Sequence, residues 1–215
     1  METFLDNIRR KEKSSTMGRY ITSTMAILLL GIALGTFSKY LDCIASNELP
    51  PILEYLDVRN FPGRFAIWLV LALCIAVYSH SAVRAAINVF AFFTGMVASY
   101  YLYSNFVAGF FPKSYALIWL GFTAFSPLLA FICWYAKGKG EISLGISAAI
   151  IAILFNASFV FGWLYFNIHS ILELITFLCG VVVLKRESAK DTVIMIVIGI
   201  AAAFLIHLVV PFHFG

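Results

Sequence analysis

The sequence predicts an all-α bundle of membrane-spanning helices, and three observations carry that prediction. Hydrophobic residues make up 62% of the 215-residue chain and charged residues 12%, where a soluble domain has about 45–50% and about 25%. The apolar residues gather into seven stretches, each near the roughly 17–25 residues a helix needs to cross a hydrocarbon core of about 30 Å. The basic residues between those stretches fall mostly on one side. Lipid offers the backbone no hydrogen-bond partners, and the alternating pattern of a membrane β-strand is absent, so each stretch is expected to be a helix.

Span one, about 20–40, follows a basic segment, 1–19, expected to be a short helix or a loose cytoplasmic tail; Arg9, Arg10, Lys11 and Lys13 are within reach of anionic headgroups, but their role in orienting the first span is sufficient to explain them. Its length exceeds the roughly 7–15-residue core of a secretory signal, and Cys43-Ile44-Ala45 is a poor cleavage site, so it reads as uncleaved. Residues 41–61 form a net acidic connection with Asp42, Glu48, Glu54 and Asp57. Pro50 and Pro51 suit the first turn of a short surface helix carrying Ile52, Leu53 and Leu56 on one side. Spans two to seven follow at about 62–80, 86–110, 114–136, 143–161, 168–184 and 192–212, with 20–215 read as a single transmembrane domain. Spans two and six are short, and either is open to a re-entrant reading.

Basic residues accumulate on the cytoplasmic side. With the N-terminus inside and the C-terminus outside, the inner segments hold Arg9, Arg10, Lys11, Lys13, Arg19, Arg84, Lys137, Lys139, Lys185, Arg186 and Lys190, against Lys39, Arg59, Arg64 and Lys113 outside. Removing span six would spoil that asymmetry. Aromatic residues agree with the boundaries: Tyr20, Tyr78, Trp134 and Tyr135 fall at inner ends, and Tyr40, Tyr101, Tyr103, Trp163 and Tyr165 near outer ones.

The formal charge of +4 is modest, and nucleic-acid binding is not suggested. Cys43, Cys74, Cys133 and Cys179 form no CxxC pair or zinc-like spacing. No P-loop, GxSxG or HExxH is present, and Asp is absent from every span, so no enzyme, cofactor or metal is expected. Small residues recur four apart at Gly31 and Gly35, Gly95 and Ser99, and Gly199 and Ala203, a spacing that lets helices approach closely. Pro127 interrupts span four, and no internal repeat is visible.

Ionisable groups within a membrane call for a partner or a wet cavity. Glu173 is the strongest case: it is expected one helical turn after His169 in span six, at a depth shared with His207 of span seven and Asn156 of span five. That group reads either as a solute or proton site or as a hydrogen-bonded contact fixing spans six and seven; a metal site has no ligand spacing behind it. A second polar group, His80, Arg84 and Asn88, surrounds the inner turn between spans two and three.

The stretches AVYSHSAVRAAINVFAFFTGMVASYYLY, GFFPKSY and AFICWYAKGKG resemble a family of small uncharacterised multi-pass proteins of the bacterial plasma membrane, over roughly residues 20–185. The resemblance implies that location and a single helical domain, and it transfers no substrate or site residue. The sequence therefore leaves two functional readings. One is transport or binding of a small solute or ion through an outward-facing polar cavity around Glu173. The other is a non-catalytic scaffold or accessory subunit that associates with a membrane partner or its own copies through its small-residue helix faces.

Overall fold

The computed structural model describes residues 4–11, 16–45, 48–162 and 164–209. Lys13, Trp163 and the end of the expected seventh span lie outside them. The described chain forms helices α1 (Phe4–Ile8), α2 (Met17–Cys43), α3 (Pro51–Tyr55), α4 (Phe65–Val77), α5 (Ala82–Phe106), α6 (Lys113–Trp134), α7 (Gly140–Ser158), α8 (Ile171–Leu184) and α9 (Ala189–Val209). Five of these, α2, α5, α6, α7 and α9, are long and apolar enough to cross a membrane. Their outward faces carry Leu29, Phe125, Leu128, Val197 and Leu205, each more than two-fifths exposed, which is the surface lipid requires and water penalises. The all-α class and the membrane setting thus follow from helix length and from what the helices expose.

α4 and α8 have 13 and 14 residues, about 20 Å each at 1.5 Å per residue. The expected span two starts with a 3₁₀ turn, Phe61–Gly63, because Pro62 and Gly63 interrupt the α-helix before Phe65. The expected span five stops at Ser158, and strands β1 (Phe159–Phe161) and β2 (Phe166–Ile168) pair antiparallel, with Phe159 opposite Ile168 and Phe161 opposite Phe166. Aromatic and β-branched residues on either side of the Gly162 turn favour that hairpin over more helix. Its return strand displaces the start of span six to Ile171, so His169 lies outside the helix it was expected to share with Glu173. α3 begins at Pro51, where a fixed φ suits the first helical turn.

The packing register shows two similarly built triplets. In the first, α2 and α5 run parallel: Thr24 meets Asn88, Gly31 meets Phe92 and Gly35 meets Met96. α4 returns between them in sequence and runs opposite, with Trp68 near Phe92 and Ser79 bonded to Asn88. In the second, α7 and α9 run parallel, with Ile151 on Gly199 and Asn156 on Ala203, while α8 returns, with Gly180 against Leu154. A three-helix unit starts and ends at opposite ends of the bundle, so repeating it in the same direction needs one further pass. α6 supplies that pass.

Close approach within each triplet depends on glycine. A methyl on Gly31 or Gly35 would collide with the carbonyl oxygen of Phe92 or Met96, and one on Gly199 would lie 2.6 Å from the Ile151 side chain. Each triplet is also tied at one end by an arginine from its second turn. Arg84 Nη2 donates to Tyr20 O (2.9 Å) and Thr24 Oγ1 at the start of α2. Arg186 Nη1 donates to Ser143 Oγ (2.8 Å) at the start of α7 and to Ala136 O (2.9 Å).

These contacts gather Arg9, Arg84, Lys137, Lys139, Lys185 and Arg186 at one end, the basic end. Arg9 does not simply extend towards headgroups. Its Nη1 and Nη2 donate to Trp134 O (2.6 Å) and Val77 O (2.9 Å), capping the final carbonyls of α6 and α4. Its guanidinium also lies 4.3 Å from the Trp134 ring centroid. The opposite end carries the hairpin, α3 and the Phe61–Gly63 turn.

Pro127 remains inside α6. Proline has no N–H to give the carbonyl four residues before it, which is Thr123 O. Ser126 Oγ donates to that oxygen at 2.8 Å instead.

Candidate functional site

The hairpin end holds the most heavily buried charge among the described residues. Arg64 occupies the position before α4 with extended backbone, and its Nη1 donates to Glu173 Oε1 at 2.7 Å. The Glu173 side chain is fully buried, whereas that of Arg64 is 18% exposed. Ser170 Oγ donates to the other Glu173 oxygen, and Arg64 Nη2 donates to Asp57 Oδ2. Asp57 has φ of +55°, a region that Asp and Asn tolerate best among residues with a side chain. Asn60 Nδ2 holds its second oxygen at 2.7 Å. The geometry ties the two triplets together: α4 and α8 run parallel across their junction, from Arg64–Glu173 down to Val70 against Gly180.

Immediately beside this ion pair is a cavity of about 340 Å³ among α2, α5, α6 and the start of α4. Trp68, Tyr100 and Trp119 form apolar walls, and Lys39 and Asp42 place opposite charges within it. Lys39 Nζ lies 2.5 Å from Asp42 Oδ2 and 5.2 Å from the Tyr100 ring centroid; the Tyr100 hydroxyl donates to the same carboxylate oxygen at 3.4 Å. Pro62 and Gly63 form part of the wall. Trp68 Nε1 holds Pro62 O at 2.7 Å, and the next residue after Gly63 is Arg64. One continuous segment therefore borders the cavity and reaches across to Glu173.

The residues expected around Glu173 have other partners. Asn156 Nδ2 donates to Ala152 O (3.0 Å) and Ala203 O (3.2 Å), joining α7 to α9. The His207 ring packs on Phe161 at a centroid distance of 4.7 Å. His169 continues the hairpin, its N–H reaching Ser158 O at 3.5 Å. Glu173 is buried against Arg64 and Ser170 rather than exposed in the adjoining cavity, which corrects the expectation of a cavity centred on it. The physical reason is Arg64, whose position in the sequence points only to an outer flank. Lys39 and Asp42, three residues apart beside Tyr40, likewise have the look of a span boundary in sequence; their acid–base spacing is the signal that could have found them.

Arg84, Asn88 and His80 do come together, lining a second cavity of about 280 Å³ at the basic end. Asn88 accepts from Thr24 Oγ1 (2.8 Å) and Arg84 Nη2 (3.2 Å), and its Nδ2 donates to Ser79 Oγ (3.1 Å). The His80 ring meets Tyr20 edge-on at 6.0 Å. Gly31, Gly35, Gly95 and Gly199 lie in the helix contacts within the two triplets. Among the described residues, no group of three or more His, Cys, Asp or Glu side chains is arranged to hold a metal.

Comparison with protein-family models, curated proteins and solved structures finds no match to this chain.

Proposed function

We propose that this is a seven-span solute-binding transport protein of a bacterial plasma membrane, with its basic end and N-terminus in the cytoplasm. The successive helix directions and the basic residues gathered at one end support that orientation. The brevity of α4 and α8 fits crossing segments inside a bundle, since non-helical backbone at membrane depth is tolerated where protein or a cavity surrounds it. Repeats related by an axis along the membrane normal recur in transporters, and the cavity lies on the first triplet's side of the contact between the two.

The observation that carries the reading is the run Pro62-Gly63-Arg64, which places a cavity wall next to the ion pair joining the triplets. The cavity suits a small amphipathic solute bearing both charges. Its apolar part would contact Trp68 and Trp119, its anionic group Lys39, and its cationic group Asp42. Solute that displaces the 61–64 segment would also strain Arg64–Glu173, coupling occupancy to the packing of one triplet against the other. The scaffold reading draws less support, because the small-residue faces invoked for a partner are used within the chain.

Accessibility in intact cells tests the proposal whatever the identity of the solute. In a background with the native cysteines replaced, Gly63→Cys, at an exposed position in the cavity wall where an added side chain meets nothing within 4 Å, should react with a membrane-impermeant maleimide added outside. Val70→Cys, which is buried at the triplet junction, should react only slowly. Glu173→Gln should accelerate Val70→Cys labelling without unfolding the protein. An unreactive Gly63→Cys, or a folded Glu173→Gln protein with an unchanged Val70→Cys rate, would refute the outward cavity or its coupling respectively.

A further inference from the structure

The cavity at the basic end has a charge distribution that the solute proposal does not use. It lies between the start of α2, the α4–α5 turn and the first turns of α5, with Arg19, Tyr20, Ser79, His80, Arg84 and Asn88 in its lining. Among the described residues, no Asp or Glu lines it. Arg19 and Arg84 make no ion pair among the described residues.

Arg84 is held in a defined position. Its Nη2 meets Tyr20 O, Thr24 Oγ1 and Asn88 Oδ1, and its guanidinium lies 4.9 Å from the Tyr20 ring centroid. Its Nη1 and Nε make no hydrogen bond among the described residues. A planar guanidinium fixed through one nitrogen presents its remaining N–H groups as a fork suited to oxyanions. Arg186, the corresponding tie in the second triplet, provides a contrast: its Nη1 is shared between Ser143 Oγ and Ala136 O, beneath a closely packed helix pair.

We infer that this cavity binds a phosphate group through Arg84 and Arg19, with His80 and Ser79 at its border. A pocket with two arginines and, among the described residues, no carboxylate favours a tetrahedral oxyanion, and its place at the basic end sets it at the depth of inner-leaflet headgroups under the proposed orientation. The phosphate is supplied either by an anionic phospholipid or by a soluble phosphate species; both present the same oxygen atoms to the guanidinium.

Thermal unfolding of the full chain in neutral detergent separates the two sources. One arm adds phosphatidylglycerol, a second adds phosphatidylcholine as a zwitterionic lipid control, and a third adds inorganic phosphate against chloride at equal ionic strength. Stabilisation by phosphatidylglycerol alone identifies a lipid headgroup, whereas stabilisation by inorganic phosphate beyond chloride identifies a soluble source. In either case Arg84→Gln should raise the concentration needed for half the stabilisation about tenfold. Arg19→Gln keeps the Arg84 bonds to the helices and should also weaken the response, so the test survives if Arg84→Gln fails to fold. Arg186→Gln, where it folds, should retain the wild-type concentration dependence. Absence of phosphate-specific stabilisation in both arms, or equal responses from wild type and Arg19→Gln, would overturn the inference.

Discussion

Replacing Arg64 by Leu should expose the largest single electrostatic cost in the fold. Glu173 is fully buried, and Arg64 supplies its only cationic partner among the described residues. After the substitution its carboxylate keeps the Ser170 hydroxyl but loses the guanidinium. Breaking a buried ion pair from one side costs about 3–5 kcal/mol, a large fraction of a total stability of about 5–15 kcal/mol. Replacing both members by apolar residues removes the uncompensated charge and is often close to neutral. Asp57 is then still half-buried rather than sealed, and Asn60 continues to bind it. The double variant Arg64→Leu/Glu173→Leu should therefore recover about 2 kcal/mol or more of the loss caused by Arg64→Leu. Equilibrium unfolding in mixed micelles across the four-member cycle measures that coupling. A coupling below about 0.5 kcal/mol, within the range expected of independent sites, would show that the pair does not join the triplets energetically.

Two further substitutions test the packing. Gly31→Ala should destabilise the α2–α5 contact by about 1–3 kcal/mol because its methyl meets the Phe92 carbonyl, whereas Gly121→Ala in α6 meets nothing within 4 Å and should gain up to about 1 kcal/mol of helix propensity; unfolding midpoints of the two variants should move in opposite directions. Ser126→Ala leaves Thr123 O without the hydroxyl that replaces the missing Pro127 N–H, and should cost about 1–3 kcal/mol, with faster hydrogen exchange around Pro127 as the local readout.

Hydropathy makes the long helices legible because lipid imposes a length and an apolar composition on each one. The Glu173 environment is less accessible. An acidic residue in an apolar run announces a need for compensation, but its partner lies 109 positions away. Locating Arg64 requires knowing that α4 and α8 are parallel neighbours, a relation created by tertiary packing. The apolar run through Ile168 predicts that His169 shares a helix with Glu173, yet β-pairing uses Ile168 and postpones the helix. Apolar content alone does not distinguish an aromatic strand from another helical turn. The repeated triplet is equally hidden: Gly31 against Phe92 and Gly199 against Ile151 perform similar close packing with different sequences.

The two triplets share a path through space but use their interiors differently, and the difference bears on where the proposed solute would sit. At the hairpin end of the second triplet, Phe155, Phe159, Phe161, Phe166, Phe177 and Phe204 form a connected set of ring contacts, with Phe159 stacked on Phe166 at 5.3 Å. The first triplet instead brings Lys39 and Asp42 to an aromatic-walled cavity and Arg84 to a basic one. Aromatic packing makes the second unit a firm support, since moving one ring disturbs several neighbours. Retaining charged groups in the first unit costs desolvation, which ligand binding can offset. The proposed division is thus a binding triplet braced against a packed triplet, with Arg64–Glu173 carrying displacement from one to the other. Filling the first cavity through Ser38→Phe should accordingly suppress solute binding while leaving the Arg64–Glu173 coupling intact; suppression that occurred only with loss of that coupling would instead make the cavity part of the structural junction.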